Sequence, residues 1–159
     1  MLRLIPPPLH RLLYRLAYVL RGHWLRVRGG RVYGSNVIAR DARGRLLMVR
    51  HSYGSRHWQF PGGGIGRGEE PEAAARREFA EELRCGLLAL TLLGTVEEPY
   101  QSAINVVHVF TGLVDGEPAV DGRELVEARF FARHELPRPL GREAAKRLDM
   151  LDGYREPGA

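Results

Sequence analysis

Residues 61–86 read PGGGIGRGEEPEAAARREFAEELRCG, a glycine-rich half followed by an acidic half. Pro71 suits the first turn of a helix, and the alanines at 73–75 favour a helix after it. Phe79 and Leu83 are four residues apart, so we expect them to face the core together. The stretch therefore predicts a turn that leads into an amphipathic helix.

The predicted helix carries three glutamates on one face. Glu78, Glu81 and Glu82 stand at i, i+3 and i+4, which places them within about 100° of one another. Like charges at this spacing repel, so a helix built for stability alone would avoid them. One interpretation is an ordinary solvated acidic face. The other is a site for Mg²⁺ or Mn²⁺, which prefer oxygen ligands and accept phosphate oxygens as well.

The neighbouring glycines favour the second interpretation. Gly62, Gly63 and Gly64, followed by Gly66 and Gly68, come just before the acidic helix. A backbone without side chains can approach a ligand or a metal closely. A glycine turn at a fixed distance from a carboxylate helix therefore predicts a site for a cation and a phosphate group.

This stretch resembles the signature of the Nudix hydrolase family, G-x(5)-E-x(7)-R-E-U-x-E-E-x-G-U, in which U is a bulky apolar residue. Every charged position matches. The matching residues are Gly63, Glu69, Arg77, Glu78, Phe79, Glu81 and Glu82. Two positions depart, because Arg84 replaces the last glycine and Cys85 replaces the final apolar residue. We expect Gly86 to supply the turn that the missing glycine would make.

The resemblance implies a fold of the α/β class, an α/β/α sandwich with a mixed β-sheet. It also implies hydrolysis of a diphosphate that is linked to another group, usually a nucleoside. The expected cofactor is Mg²⁺, with Mn²⁺ as a substitute. The implied metal ligands are Gly63, through its carbonyl, and Glu78, Glu81 and Glu82. Glu69 and Arg77 are expected to brace the loop and the helix rather than to take part in chemistry.

A carboxylate is needed to take the proton from the attacking water. Glu78 or Glu82 can do so while lying near the metal, and in several branches of the family the base lies on a later loop or strand. Here the later candidates are Glu124 and Glu127, followed by Glu97 and Glu98. For each of these four later glutamates, the alternative interpretation is an ordinary surface acid without a catalytic role.

Residues just upstream of the glycines are candidates for holding the substrate. Arg50 and Arg56 can pair with phosphate oxygens, and Tyr53 can stack on a base. His51 and His57 lie in the same stretch and are considered as metal ligands, behind the carboxylates. Trp58 and Phe60, in the same stretch, are expected in the core.

The rest of the chain alternates strands and helices, as in a layered α/β domain. Predicted strands cover residues 31–39, 45–50, 90–97, 105–114 and 125–131. Predicted helices cover residues 71–84 and 140–151, and residues 51–68 are predicted as a loop.

Charge divides the chain unevenly. Residues 1–56 hold 12 arginines and a single acid, whereas residues 57–159 hold 12 basic and 18 acidic residues. We therefore divide the chain into a basic helical extension, residues 1–30, and a hydrolase domain, residues 31–159. The extension is expected to pack on the domain or on a second subunit, with a membrane surface or a nucleic acid as alternatives.

The composition narrows the function classes. The chain has 159 residues, of which 44% are hydrophobic and 27% charged, and this excludes a collagen-like or largely disordered protein. A single cysteine excludes an internal disulfide framework. Arg11 and Arg15 interrupt the apolar stretch near the start of the sequence, and the longest uncharged run after them, residues 16–20, is shorter than a signal peptide core. We therefore expect a cytoplasmic protein with no integral membrane contact.

The predicted function is a Mg²⁺-dependent pyrophosphohydrolase that acts on a nucleoside diphosphate derivative or a nucleoside triphosphate. The predicted partner is therefore a small nucleotide. A homodimer is left open, and nucleic acid is not expected. Two alternatives are a Nudix-fold binding module without catalysis and a hydrolase that acts on RNA 5′ ends.

Overall fold

The computed structural model describes residues 30–52, 54, 56–120 and 124–154. Its strands are β1 (Arg31–Arg40), β2 (Leu46–His51), β3 (Gly62–Gly64), β4 (Gly86–Tyr100), β5 (Ala103–Asp115) and β6 (Leu125–Phe131). Its helices are α1 (Pro71–Leu83), a short 3₁₀ turn (Arg133–Glu135) and α2 (Arg142–Gly153). The predicted N-terminal helix and Tyr53 lie outside the described residues, so the division of the chain at residue 30 stays a prediction.

The strands form one mixed sheet in the order β4-β5-β1-β2-β6, with β3 paired to β1 beside β2. β1 runs parallel to β5, and the other pairs are antiparallel. The hairpin turn at residues 41–44 joins β1 to β2, where the Gly44 N–H donates to the Asp41 carbonyl at 3.0 Å. The mixed sheet that the sequence predicts is confirmed.

One helix lies on each face of the sheet. Phe79 and Leu83 of α1 are buried against Val37, Leu47 and Val49. Each of these large apolar side chains contributes about 1.5–3 kcal/mol when it is removed from water. The face that α1 covers therefore holds half of the core, and the prediction that Phe79 and Leu83 face it together is confirmed.

The opposite face is covered by α2, through Ala144 and Leu148. Trp58 and Phe60 pack there too and are 5% and 3% exposed, so their predicted place in the core is confirmed. The two packed faces make a three-layer α/β/α sandwich.

The exit of α1 differs from the expectation. Arg84 itself takes the left-handed conformation, with φ 56° and ψ 24°, and its N–H donates to the Ala80 carbonyl. Gly86 begins β4 instead. The prediction that Gly86 supplies the turn is therefore wrong, because the turn falls where the family has its glycine even though an arginine occupies the position.

Candidate active site

The glycine strand and the acidic helix meet side by side. β3 pairs with β1 through Gly62, Gly63 and Gly64 and runs along the start of the loop that leads to α1. A Cβ added at Gly63 would lie under 3.0 Å from the Glu78 carboxylate, and one added at Gly62 would overlap the Ser35 carbonyl at a similar distance. Only glycine allows the backbone to pass this close to the carboxylate and to β1.

Arg77 ties the loop to the helix. Its Nε and Nη2 donate to the two carboxylate oxygens of Glu69 at 2.8 and 3.0 Å, and Nη2 also donates to the Gly64 carbonyl at 3.1 Å. Its Nη1 donates to Glu78 at 2.8 Å. The Gly66 N–H donates to Glu69 at 2.7 Å. The Arg77 and Gly66 bonds lower the pKa of Glu69 to about 2, so this partly buried carboxyl stays charged at neutral pH.

The three glutamates on the acidic face of α1 differ in how deeply they are buried. Glu81 is exposed and lies 3.4 Å from Arg77, whereas Glu78 is half-buried. Burial raises the pKa of Glu78, although its ion pair with Arg77 opposes the effect. The three residues share a face as the spacing predicts, but they do not share an environment.

Glu82 is the most shielded of the three. Its Oε2 is buried and has no hydrogen-bond partner among the described residues, while the Gly62 N–H donates to its carboxylate. Burial raises the pKa of Glu82 well above its usual range, and the charges of Glu124 and Glu78 raise it further. A buried carboxylate oxygen without a partner beside other acids is costly unless a cation neutralises it. The donor set therefore fits a hard divalent cation.

Of the later candidate bases, the structure brings Glu124 to the acidic helix. One ligand atom each of His51, Glu82 and Glu124 lies within 4.8 Å of the other two. His51 ends β2 and is buried. This burial lowers the pKa of the imidazole, and the charge of Glu124 partly offsets the effect. A neutral imidazole and two carboxylates thus come together from three separate elements.

The other three candidate bases are held elsewhere. Glu127 pairs with Arg50 across β2 and β6, and Arg50 lies over the Trp58 ring at 5.1 Å. Glu97 pairs with Arg31. Glu98 accepts two hydrogen bonds from Arg147, each of 2.8 Å. These carboxylates are already engaged with arginines, in contrast to the Oε2 of Glu82.

The candidate substrate residues are dispersed. Arg50 is the partner of Glu127, and Arg56 is exposed. His57 is exposed too. Cys85 is buried in the core beside α1, and burial raises its pKa to about 11, which leaves it a protonated thiol at neutral pH.

A cavity of about 510 Å³ adjoins the glycine strand on the α2 side of the sheet. Gly62–Gly64 and His51 form the wall that it shares with the acidic site. Its polar lining includes Asn36, Glu98, Tyr100, Asn105 and Arg147. The volume lies within the range of about 300–1,000 Å³ that is typical of small-molecule sites.

The sequence points to Glu98 only as a candidate base, and it gives no signal for Asn36, Asn105 or Arg147. The Asn36 Nδ2 donates to the carbonyls of Phe60 and Pro61 at 3.0 and 3.1 Å, which fixes the chain just before β3. Arg147 is only 3% exposed, although it lies in a helix with many charged residues. Burial would raise the pKa of Glu98, but the bonds from Arg147 lower it. Only the close approach of α2 to β4 reveals this pair.

Comparison with known proteins identifies the family. The NUDIX domain family model matches residues 30–151, so the chain belongs to the NUDIX family. The crystal structure of a MutT NUDIX hydrolase from Burkholderia pseudomallei superposes with a TM-score of 0.70 at 27% sequence identity. The match covers 76% of this chain and 98% of that one. The MutT protein from Methanosarcina mazei, with a TM-score of 0.63 and 21% identity, shares the fold over 79% of this chain and 98% of that one.

Sequence relatives match over a shorter region. An RNA pyrophosphohydrolase from Bartonella bacilliformis is 46% identical over 56 residues, which are 34% of this chain and 32% of that protein. The enzyme of the same name from Saccharophagus degradans is 41% identical over 61 residues, 38% of this chain and 36% of that protein. The matched region thus spans about a third of the length of these curated relatives.

Among the described residues, no helix is both long and apolar enough to cross a membrane.

Proposed function

We propose that this chain is a Mg²⁺-dependent pyrophosphohydrolase that cleaves the phosphoanhydride of a nucleoside diphosphate derivative or of a nucleoside triphosphate. The observation that carries the proposal is Glu82, whose buried Oε2 has no hydrogen-bond partner in the described part of the chain and lies beside Glu124 and the glycine strand. Membership of the NUDIX family supports it.

In this proposal Glu78, Glu81, Glu82 and the Gly63 carbonyl hold the metal, as the family resemblance implies. When bound, Mg²⁺ neutralises the charge of the diphosphate and aligns it for in-line attack by water. In this proposal Glu78 or Glu82 accepts the proton of that water, because both carboxylates lie beside the glycine strand that the diphosphate would span. Glu124 is the later acid that the geometry favours, ahead of Glu127.

Glu69 and Arg77 act as braces. Arg77 joins the loop, through Glu69 and the Gly64 carbonyl, to Glu78 on the helix. These contacts restrict where Glu78 can lie relative to the glycine strand. We therefore assign both residues a positioning role and no part in proton transfer.

The nucleoside part is proposed to occupy the 510 Å³ cavity. Because Gly62–Gly64 line that cavity and also adjoin Glu78, a diphosphate that spans the glycine strand would join a base on one side to the carboxylates on the other. Asn105 and Asn36 supply amide groups for the polar edge of a base. Arg50 and Arg56 stay predictions as phosphate ligands, and so does Tyr53 as a stacking residue.

The proposal is tested by a panel of nucleoside triphosphates, nucleotide sugars and dinucleoside polyphosphates, with product identification in Mg²⁺ and in EDTA. Glu82→Gln is expected to lower kcat by orders of magnitude, on the order of 10²-fold or more, while the fold is kept. Glu135→Gln, an exposed glutamate on the 3₁₀ turn, is the matched control and should behave like the wild type. Full activity of Glu82→Gln, or full activity in EDTA, would refute the mechanism.

A second candidate is hydrolysis at RNA 5′ ends, which the names of the sequence relatives favour. The 12 arginines of residues 1–56 would then contact phosphates. Affinity for 5′-triphosphorylated RNA should in that case fall steeply as salt rises, because each phosphate contact releases counterions. A flat salt dependence, with turnover of free nucleotides only, would reject this candidate.

The cytoplasmic location and the homodimer stay predictions from the sequence. Gel filtration with light scattering tests the second of them directly.

A further inference from the structure

A further group of possible metal ligands lies at the end of β2. His51 closes this strand, and the pairing with β6 shifts register between Arg50 and His51. The Ser52 N–H donates to the Glu124 carbonyl at 2.8 Å. Backbone contacts therefore hold the residue before β6 next to the last residue of β2, and this places Glu124 beside the imidazole.

The third member of the group comes from α1. One ligand atom each of His51, Glu82 and Glu124 lies within 4.8 Å of the other two, which is a spacing that a single ion can bridge. His51 is 9% exposed, so little of its side chain reaches bulk solvent.

An independent observation points to a ligand here. The Oε2 of Glu82 is shielded from solvent and accepts no hydrogen bond within the described part of the chain. Buried carboxylate oxygens are normally satisfied, and one that is not calls for an unseen partner. Because Glu82 and Glu124 are both acids, a cation is the partner that best offsets their charge.

We propose that His51, Glu82 and Glu124 form a mixed nitrogen and oxygen site for a divalent transition metal, with Mn²⁺ preferred over Mg²⁺. The family signature predicts a set of oxygen ligands only, and His51 and Glu124 both lie outside it. Glu82 belongs to both sets. The inference deepens the proposed function and rests on it for the reaction that the metal serves.

The ligand types decide the preference. Mg²⁺ takes oxygen ligands in a nearly ideal octahedron and gains little from imidazole, whereas first-row transition metals accept an imidazole nitrogen, Zn²⁺ and Fe²⁺ more strongly than Mn²⁺. An imidazole with two carboxylates, and water at the remaining positions, therefore favours Mn²⁺ more than the signature carboxylates alone would. The proposal thus assigns His51 a part in metal selection.

The test uses the full chain, Mn²⁺ alone as the probe, and no substrate. Electron spin-echo envelope modulation of bound Mn²⁺ should show coupling to ¹⁴N in the wild type. The coupling should change to ¹⁵N when only the histidines are ¹⁵N-labelled, and this readout needs no variant. His51→Gln should abolish the coupling, whereas His134→Gln, an exposed histidine, should keep it.

Affinity supplies a second readout. The concentration of free Mn²⁺, measured from its solution electron paramagnetic resonance signal, gives the affinity of the protein for this ion. That affinity should fall about tenfold or more in His51→Gln. The affinity for Mg²⁺, measured by competition, should change much less. Bound Mn²⁺ without nitrogen coupling, or equal losses for both metals, would overturn the assignment of His51 and leave the proposed hydrolase intact. A wild type that binds neither metal would overturn both.

Discussion

Glu82 occupies a position where its ionised side chain lowers the stability of the folded protein. Its carboxylate is buried beside Glu78 and Glu124, and a hydrogen bond from the Gly62 N–H lowers its pKa against these effects. A protein selected for stability alone would place an apolar side chain or a paired one here. The position is therefore best explained by a bound cation.

The pH dependence of stability follows from this residue. A folded-state pKa above the usual 4.5 means that the folded state binds the proton more tightly than the unfolded chain. In EDTA, the wild type should therefore lose stability relative to Glu82→Gln as pH rises. The loss begins near the unfolded-state pKa of about 4.5 and ends once the pH exceeds the raised pKa of the folded state. The difference grows by at most about 1.4 kcal/mol per pH unit.

Urea unfolding of both proteins from pH 4 to pH 8, with the metal removed, measures this difference. Saturating Mg²⁺ should reduce or reverse it, because the cation stabilises the ionised form. If the free energy of unfolding of Glu82→Gln does not rise relative to the wild type as pH rises, the raised pKa that is attributed to the burial of this carboxyl is contradicted.

Arg84 offers a stability prediction of the opposite kind. Its left-handed conformation costs a non-glycine residue roughly 1–2 kcal/mol. Glycine avoids this strain, but it loses more backbone entropy on folding, so only part of the strain energy is regained. Arg84→Gly should therefore raise the free energy of unfolding by about 0.5–1 kcal/mol. Arg84→Ala, which keeps the Cβ, should gain nothing. The three proteins are compared by their urea unfolding midpoints, provided that the unfolding curves have the same slope. Equal gains in stability for both variants would refute the conformational explanation.

At the scale of the elements, β3 joins the two halves of the site. It is only three residues long, but it pairs with β1, borders the cavity and passes against Glu78. The Arg77 contacts then hold the following loop against α1. The site thus depends on a short backbone segment whose place is fixed from both sides.

Two alanine substitutions in β3 test whether the close approach of the Gly63 backbone to Glu78 matters for catalysis. At Gly63 a Cβ would overlap the Glu78 carboxylate, whereas at Gly64 nothing lies within 4 Å of it. Gly63→Ala should displace Glu78, and a displacement of about 1 Å can cost on the order of 10²-fold in kcat. Gly64→Ala is the matched control for the position of Glu78: its kcat should stay within a few-fold of the wild type, and any obstruction of the cavity should appear in KM. Equal kinetics for both variants would show that the approach of Gly63 to Glu78 has no role.

The sequence predicts the long elements and not this short one. Period-two patterns and the helix signals around Pro71 place β1, β2, β6 and α1 to within one or two residues. Three consecutive glycines carry no such pattern, so β3 was predicted as loop. β4 and β5 are also longer than predicted, because their ladder continues to the pair Tyr100 and Ala103 beyond the apolar stretches.

The site divides in the same way. Spacing along one helix is enough to bring Glu78, Glu81 and Glu82 to one face. The choice of Glu124 among four later acids depends on the register between β2 and β6, which no local pattern encodes. The pair of Glu98 and Arg147 depends likewise on how α2 lies on β4.

For the whole molecule, the sandwich separates two tasks on the two faces of one sheet. The α1 face presents carboxylates, and the α2 face presents a cavity with amides and a buried ion pair. β3 forms the boundary between them. This arrangement suits a substrate with an anionic middle and a polar ring at one end, as in nucleoside diphosphate derivatives.

The most direct test of the central claim is hydrolysis of the best substrate of the panel in H₂¹⁸O, with products analysed by mass spectrometry. The account predicts Mg²⁺-dependent turnover with one ¹⁸O in one phosphate product, and a loss on the order of 10²-fold or more in Glu82→Gln. Turnover that persists in EDTA would contradict it. Label in a non-phosphate product, or no hydrolysis of any phosphoanhydride by metal-bound wild-type protein, would contradict it equally.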